Sequence, residues 1–109
     1  MSKKYEPLTE SYYYILLCLY KEPNHGYGIM QETIKLSNGR VKIGSGTMYT
    51  AVSKMIKKGW IKDSEAIDEQ DDRRRTYEIT QDGTNILYQE IDRLKELLNS
   101  AKLIKNQGK

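Results

Sequence analysis

The sequence predicts a mainly α fold with one small β-hairpin, closed by a long C-terminal helix. Three observations carry that expectation. Apolar residues recur at helical spacing in four separate segments. Two short strand-like runs, residues 60–66 and 75–80, bracket a highly charged stretch. The last periodic segment is far longer than the others. With 109 residues the chain makes one small domain with a modest core, and chains of this size often complete their burial against a second subunit.

The first helix is expected over residues 9–21. Thr9 caps it, and Leu8 and Tyr13 are spaced as a hydrophobic staple. It is apolar around most of its circumference (Tyr12, Tyr13, Ile15, Leu16, Leu17, Leu19, Tyr20), so it is expected to be covered on all sides, in part by another subunit. Glu22-Pro23-Asn24 stops it. A second helix runs from about Gly26 to Ser37, with Tyr27, Met30 and Ile34 on one face, and ends at Asn38-Gly39, where both residues tolerate the left-handed conformation. Arg40-Val41-Lys42-Ile43 alternates and is expected to form a very short strand. Gly44-Ser45-Gly46 turns into a third helix with Ser45 as its cap. There Met48, Val52, Met55 and Ile56 share one sector, and Gly59 ends the helix. In the hairpin that follows, Tyr77 and Ile79 share a face. Thr80-Gln81-Asp82 caps a fourth helix reaching about Ile104, roughly 36 Å at 1.5 Å per residue. Its stripe of Leu87, Ile91, Leu94, Leu98 and Ala101 alternates 4 and 3 spacing and is expected to face a second subunit. Three short helices plus a hairpin make a winged helix-turn-helix. Residues 1–80 are thus expected to be the DNA-binding domain, and 81–109 a dimerisation helix with a frayed tail.

The longest apolar run, Tyr12 to Tyr20, falls far short of a bilayer span, and no signal-peptide pattern opens the chain. Cys18 is the one cysteine and has no disulfide partner, so the cytoplasm is the expected compartment. Cys18 itself reads as a small buried hydrophobe. His25, the one histidine, lacks a partner at metal or triad spacing and suits a loop or capping role. Gly26 and Gly28 match no phosphate loop and suggest close helix packing. The acids of 63–72 match no EF-hand spacing. No enzymatic constellation, cofactor or metal is expected.

The net charge of +3 conceals a sharp division. Residues 33–62 hold Lys35, Arg40, Lys42, Lys54, Lys57, Lys58 and Lys62 and no acid. Residues 63–72 then hold Asp63, Glu65, Asp68, Glu69, Asp71 and Asp72 and no base, and Arg73, Arg74 and Arg75 follow at once. An acid-free basic block resembles a nucleic-acid footprint, although most charge runs are simply solvated faces. Opposite the apolar sector of the third helix lie Thr47, Thr50, Ser53, Lys54 and Lys57. Small hydroxylated residues permit close approach to a major groove, and lysines meet phosphates. The free amides near Ser45 to Thr47 can hold a phosphate, and Tyr49 lies on the border of the two faces. Both readings of this helix face, solvated surface and DNA contact, stand at this point. So do two readings of the acidic run: its carboxylates point away from a duplex, or they shield the surface against non-specific binding.

The segments Leu8-Thr9-Glu10 with Tyr13–Leu16, Pro23–Ile29 (PNHGYGI), Gly46–Tyr49, Lys57–Ile61 and Arg73–Gly83 (RRRTYEITQDG) resemble, in order, the PadR family of bacterial transcriptional regulators. The resemblance covers roughly residues 8 to 90, and the single last helix is similar to the small subfamily. It implies a homodimeric winged-helix repressor joined through its last and first helices, which adds Tyr13 and Leu16 to the interface. It implies operator contacts by Ser45, Thr47, Tyr49, Thr50 and Lys54, helped by the wing arginines Arg73, Arg74 and Arg75, with Lys57 further along the same face. It also implies release by a small phenolic or hydrophobic effector. Small relatives can stack planar drugs on a tryptophan of the last helix. Here the only tryptophan is Trp60, at the start of the wing, so an aromatic site would fall to Tyr12, Tyr14 and Tyr88. Two such units related by a two-fold axis would read an inverted repeat on double-stranded DNA. The other class of function is a winged-helix protein–protein adaptor, which has no need of the acid-free basic block.

Overall fold

A computed structural model describes residues 6–65 and 75–107. The elements run α1 (Glu10–Lys21), β1 (Asn24–His25), α2 (Gly26–Leu36), α3 (Ser45–Lys58), β2 (Ile61–Asp63), β3 (Thr76–Ile79) and α4 (Gln81–Lys105). The three strands form one antiparallel sheet in the order β1-β3-β2. Ile61 faces Ile79 and Asp63 faces Tyr77 across β2–β3, and Asn24 faces Tyr77 across β1–β3. This is a winged helix fold with an added long helix.

Local chemistry sets most of the boundaries. The Thr9 hydroxyl accepts from the Tyr12 N–H and starts α1. The His25 imidazole accepts at Nδ1 from the Gly28 N–H at 3.0 Å, so the histidine is the cap of α2. Asn38 and Gly39 carry φ of 56° and 78° after α2, and Gly59 carries 79° after α3, the left-handed turns that both helix ends require. Gly28 lies against the Asn24 side chain, which accepts from the His25 N–H, so that glycine makes room for a loop side chain and not for a neighbouring helix.

Arg40–Ile43 is not a strand. The middle strand β3 is already paired on both edges, by β1 and β2, and the Ser37 hydroxyl takes the Val41 N–H at 2.9 Å, so a loop satisfies that backbone. β1 fills the sheet position instead. It is only two residues long, too short to leave a periodic signal.

The core joins Ile15, Leu16, Cys18 and Leu19 of α1 to Ile29, Ile43, Met48, Ala51, Val52, Met55, Ile61 and Leu87. Cys18 is buried there, its sulfur 3.7 Å from the Thr33 hydroxyl, and burial pushes its thiol pKa up. α1 is not covered all round: Tyr12, Tyr13 and Tyr14 are half-buried, and Tyr20 is exposed and bonded through its hydroxyl to that of Tyr88 at 2.6 Å. Leu16 and Leu87 have no exposed surface, so both belong to this chain's own core and neither is free to meet a partner. The radius of gyration is 16.1 Å, against about 13 Å for a compact domain of this length. α4 supplies the excess. From Leu94 onward every described residue is exposed, including Leu94, Leu97, Leu98, Ala101 and Ile104, which fall within a sector of about 120° at 100° per residue.

The start of α4 is clamped to the end of α3. The Thr80 N–H donates to the Trp60 carbonyl at 3.0 Å, and the Thr80 hydroxyl donates to the Gly59 carbonyl at 2.6 Å. A Cβ on Gly83 would collide with the Trp60 carbonyl oxygen. Glycine-to-alanine changes inside helices ordinarily gain about 1 kcal/mol. At Gly83 the sign is expected to reverse, with Gly83→Ala losing roughly 1–3 kcal/mol to overpacking. The midpoint of urea unfolding measures this, and a midpoint at or above that of the parent chain would refute the clamp.

Candidate nucleic-acid interface

α3 buries Met48, Ala51, Val52 and Met55 and turns the rest of its circumference outward. Ser45, Thr47, Thr50, Ser53, Lys54 and Lys57 are all exposed, and Tyr49 is 74% exposed despite its ring. The face expected from helical spacing is therefore present as one continuous polar surface.

The start of α3 differs from the expectation in an informative way. Gly44, not Ser45, is the N-cap, and among the described residues no side-chain hydrogen bond caps the first turn. Thr9, His25 and Thr80 each cap their own helix with a side chain, so α3 alone keeps its leading amides open. Ser45 is the first helical residue. Open amides at a helix N-terminus, with the dipole behind them, favour an anion. Exposed Ser45 and Thr47 hydroxyls stand beside them.

Two concavities flank this helix. On one side Thr47, Thr50 and Lys54 line a groove with Thr9, Ser11 and Tyr12 of α1. On the other, Ser45, Tyr49 and Ser53 line a cavity of about 230 Å³ with Tyr27 of α2, Tyr77 of β3 and Arg75 just before that strand. The wing is thus brought to the α3 face through Arg75. Arg73 and Arg74, expected at the same tip, lie outside the described residues.

The basic block is partly spent internally. Arg40 pairs with Glu10 at 2.9 Å, Lys62 with Glu78 at 3.6 Å, and the Lys58 ammonium sits 5.2 Å from the Trp60 ring centre. Among the described residues Lys54 and Lys57 make no ion pair, and neither do Lys35 and Lys42 of the same block, so the α3 face keeps two uncommitted cations. Arg75 is held: its Nε and one terminal nitrogen donate to the two Asp63 carboxylate oxygens at 3.0 and 2.9 Å, while the guanidinium lies 5.2 Å from the Tyr77 ring. Reasoning from the sequence did not find the Asp63–Arg75 pair. Its signal is the hairpin register, which sets Asp63 opposite Tyr77 and so diagonal to Arg75. Tyr27, 58% exposed on the same cavity, was also missed, because its spacing reads as core.

The three tyrosines expected to form an aromatic site do not come together. Tyr12 packs edge-on to Trp60 at 6.4 Å, Tyr14 to Tyr13 at 5.2 Å, and Tyr88 to Tyr20 at 5.7 Å. Two residues apart on a helix is about 200°, which sends Tyr12 and Tyr14 to opposite sides. Among the described residues no helix is long and apolar enough to cross a membrane, and no group of His, Cys, Asp and Glu is arranged to hold a metal ion.

The fold is a winged helix whose α3 presents an exposed polar face, an uncapped first turn and, among the described residues, two unpaired lysines. The family model of the PadR-like transcriptional regulators matches residues 15–89, and the chain belongs to that family. Among solved structures it is similar to a transcriptional regulator from Clostridium thermocellum, with 27% identity and a TM-score of 0.66 over 91% of this chain and 90% of that one. A PadR-like transcription factor from Bacteroides fragilis matches at 27% identity and a TM-score of 0.68, over 85% and 87% of the two chains. RosR of H. salinarum matches at 25% identity and a TM-score of 0.64, over 89% and 80%. No curated protein matches the chain. The protein is accordingly a DNA-binding transcriptional regulator of the PadR-like family.

The Asp63–Arg75 pair holds an arginine that could otherwise meet a phosphate. Asp63→Asn is expected to tighten duplex binding by about 2- to 5-fold, the scale of an exposed ion pair. Fluorescence anisotropy with a labelled duplex at fixed salt measures it, and unchanged or weaker binding would remove Arg75 from the interface.

Proposed function

We propose that this chain is a homodimeric repressor whose α3 helices enter successive major grooves about 34 Å apart and read an inverted repeat. In this reading residues 1–80 form the DNA-reading unit, and 81–109 supply the dimerisation helix and tail. The observation that supports it is the uncapped start of α3 on the same helix as Lys54 and Lys57, which make no ion pair among the described residues. Ser45, Thr47, Tyr49, Thr50, Lys54 and Lys57 touch the operator, and the wing arginines reach the flanking backbone. The dimer seam is the exposed stripe of Leu94, Leu98 and Ala101, extended by Leu97 and Ile104 and flanked by half-buried Tyr13 and Ile91. Free leucines at that spacing on a projecting helix are what a coiled seam requires. Release by a small hydrophobic or phenolic effector belongs to the same reading and rests on the family resemblance. The regulator works by binding and not by catalysis. An adaptor that ignores DNA would leave the open amides and free lysines of α3 without a use.

Selection of bound duplexes from a random pool is the direct test, with an inverted repeat as the expected product. On the selected duplex the affinity should fall with salt at about −0.9 per phosphate neutralised, and Lys54→Ala should reduce that slope by about one without lowering the melting temperature. A flat salt response would favour the adaptor. Leu94→Glu places a charge in the apolar seam and is expected to turn a sedimenting dimer into a monomer. A dimer that survives the change would mean that the seam lies elsewhere.

A further inference from the structure

One pair of tyrosines has a chemistry of its own. The Tyr20 and Tyr88 hydroxyl oxygens lie 2.6 Å apart, a length at which one phenol donates to the other. Their rings meet edge to face with centroids 5.7 Å apart. One ring comes from the last turn of α1 and the other from the first half of α4, 68 positions apart in sequence. The two residues are 48% and 47% exposed, so a dissolved reagent reaches both and each ring keeps room to turn. The hydrogen bond from one phenol to the other holds the Tyr88 pKa above the usual phenol value, so its proton is in place at neutral pH.

The usual targets of oxidation are shielded. Cys18, Met48 and Met55 are buried, and burial pushes the Cys18 thiol up, away from the reactive thiolate. With a single cysteine the chain has no internal disulfide to form. Trp60 is half-buried, with Tyr12 against its edge and the Lys58 ammonium over its face. Tyr27 and Tyr49 are more exposed than Tyr20 and Tyr88, but among the described residues neither has a ring partner. Tyr13 and Tyr14 touch at 5.2 Å between centroids, yet both are half-buried and no bond joins their hydroxyls among the described residues. The Tyr20–Tyr88 pair alone combines access, ring contact and a hydroxyl bond among the described residues.

We infer that Tyr20 and Tyr88 form an oxidation site, at which hydrogen peroxide acting through a haem peroxidase joins the two rings as dityrosine. Each phenol gives up one electron and its hydroxyl proton and becomes a phenoxyl radical. For the phenol that donates the hydrogen bond, the neighbouring oxygen is already placed to take the proton. The two radicals couple through ring carbons ortho to their oxygens, which forms one carbon–carbon bond. The hydrogens on those carbons then move to the oxygens and restore two phenols. The two electrons and two protons released reduce one hydrogen peroxide to two waters. The product staples the end of α1 to the first half of α4. Like a disulfide that closes a long loop, it restricts the unfolded chain and so favours the folded one. The site goes beyond the regulator reading and does not depend on it, because the reaction needs no DNA.

The test treats the full chain with hydrogen peroxide and a haem peroxidase, then denatures it, sizes it and maps its peptides by mass spectrometry. The expected product has the size of one chain and is lighter by two hydrogens, with the peptide that carries Tyr20 joined to the one that carries Tyr88. Its dityrosine fluorescence should be lost in Tyr20→Phe and in Tyr88→Phe, each of which keeps the ring. The purified product should melt at a higher temperature than the parent chain, and peroxidase-treated Tyr20→Phe should show no such rise. Covalent dimers, links at other tyrosines in place of this pair, or oxidation of Trp60 with the pair intact would each overturn the site. A linked product that melts no higher than the parent would overturn the staple.

Discussion

The Thr80 hydroxyl donates to the Gly59 carbonyl at 2.6 Å and accepts from the Gly83 N–H at 3.1 Å, so one oxygen ties the end of the recognition helix to the start of the last one. The geometry of that tie is demanding. Gly59 must turn left-handed to present its carbonyl, the Trp60 carbonyl must take the Thr80 N–H, and Gly83 must lack a side chain for α4 to come so close. With the tie made, Ile61 and Ile79 stand opposite each other and β3 becomes the middle strand. The orientation of α3 relative to α4 therefore depends on backbone groups more than on side-chain packing. In a two-fold assembly built on α4, that orientation would set the spacing of the two recognition helices.

The outward face of α3, the proposed DNA surface, is defined by what it leaves unsatisfied. Three helices close their first turns with a side chain, and α3 does not. The basic residues that surround the surface divide in the same way. Arg40, Lys58 and Lys62 are engaged by acids or an aromatic ring, while among the described residues Lys54 and Lys57 on the outer face of α3, like Lys35 and Lys42, make no ion pair. A helix start with open amides and lysines about two and a half to three and a half turns further on offers a nucleic-acid backbone contacts along the helix. The wing arginine is an intermediate case, close to the surface and yet held by its own carboxylate.

The four helices were legible because each carries its own local evidence: a capping hydroxyl at Thr9 or Thr80, a left-handed stop at Asn38-Gly39 or Gly59, and apolar spacing between them. The errors fall where a partner distant in sequence decides. Arg40–Ile43 alternates like a strand, but β3 has no free edge to offer it. Leu16 and Leu87 share the periodicity of an interface, and only their complete burial in the core cluster shows that they are core. Ser45 has the chemistry of a cap, yet the chain turns one residue earlier, at Gly44. Tyr12 and Tyr88 pair with rings from other elements, which spacing along one helix does not reveal. The outward face of α3 was legible for the opposite reason, since a solvent-facing surface is set by helical periodicity alone.

The outer half of α4 lies almost wholly outside this chain's core. From Leu94 to Lys105 it is a single helical segment with its apolar side in water, and an isolated helix of that length is marginal in water. Whatever covers the stripe supplies the free energy that keeps it helical, and by mass action that supply rises with the abundance of the covering molecule. If the cover is a second copy of the chain, helix content becomes a gauge of copy number: a scarce protein frays at its C-terminal end, and an abundant one is ordered to its tip.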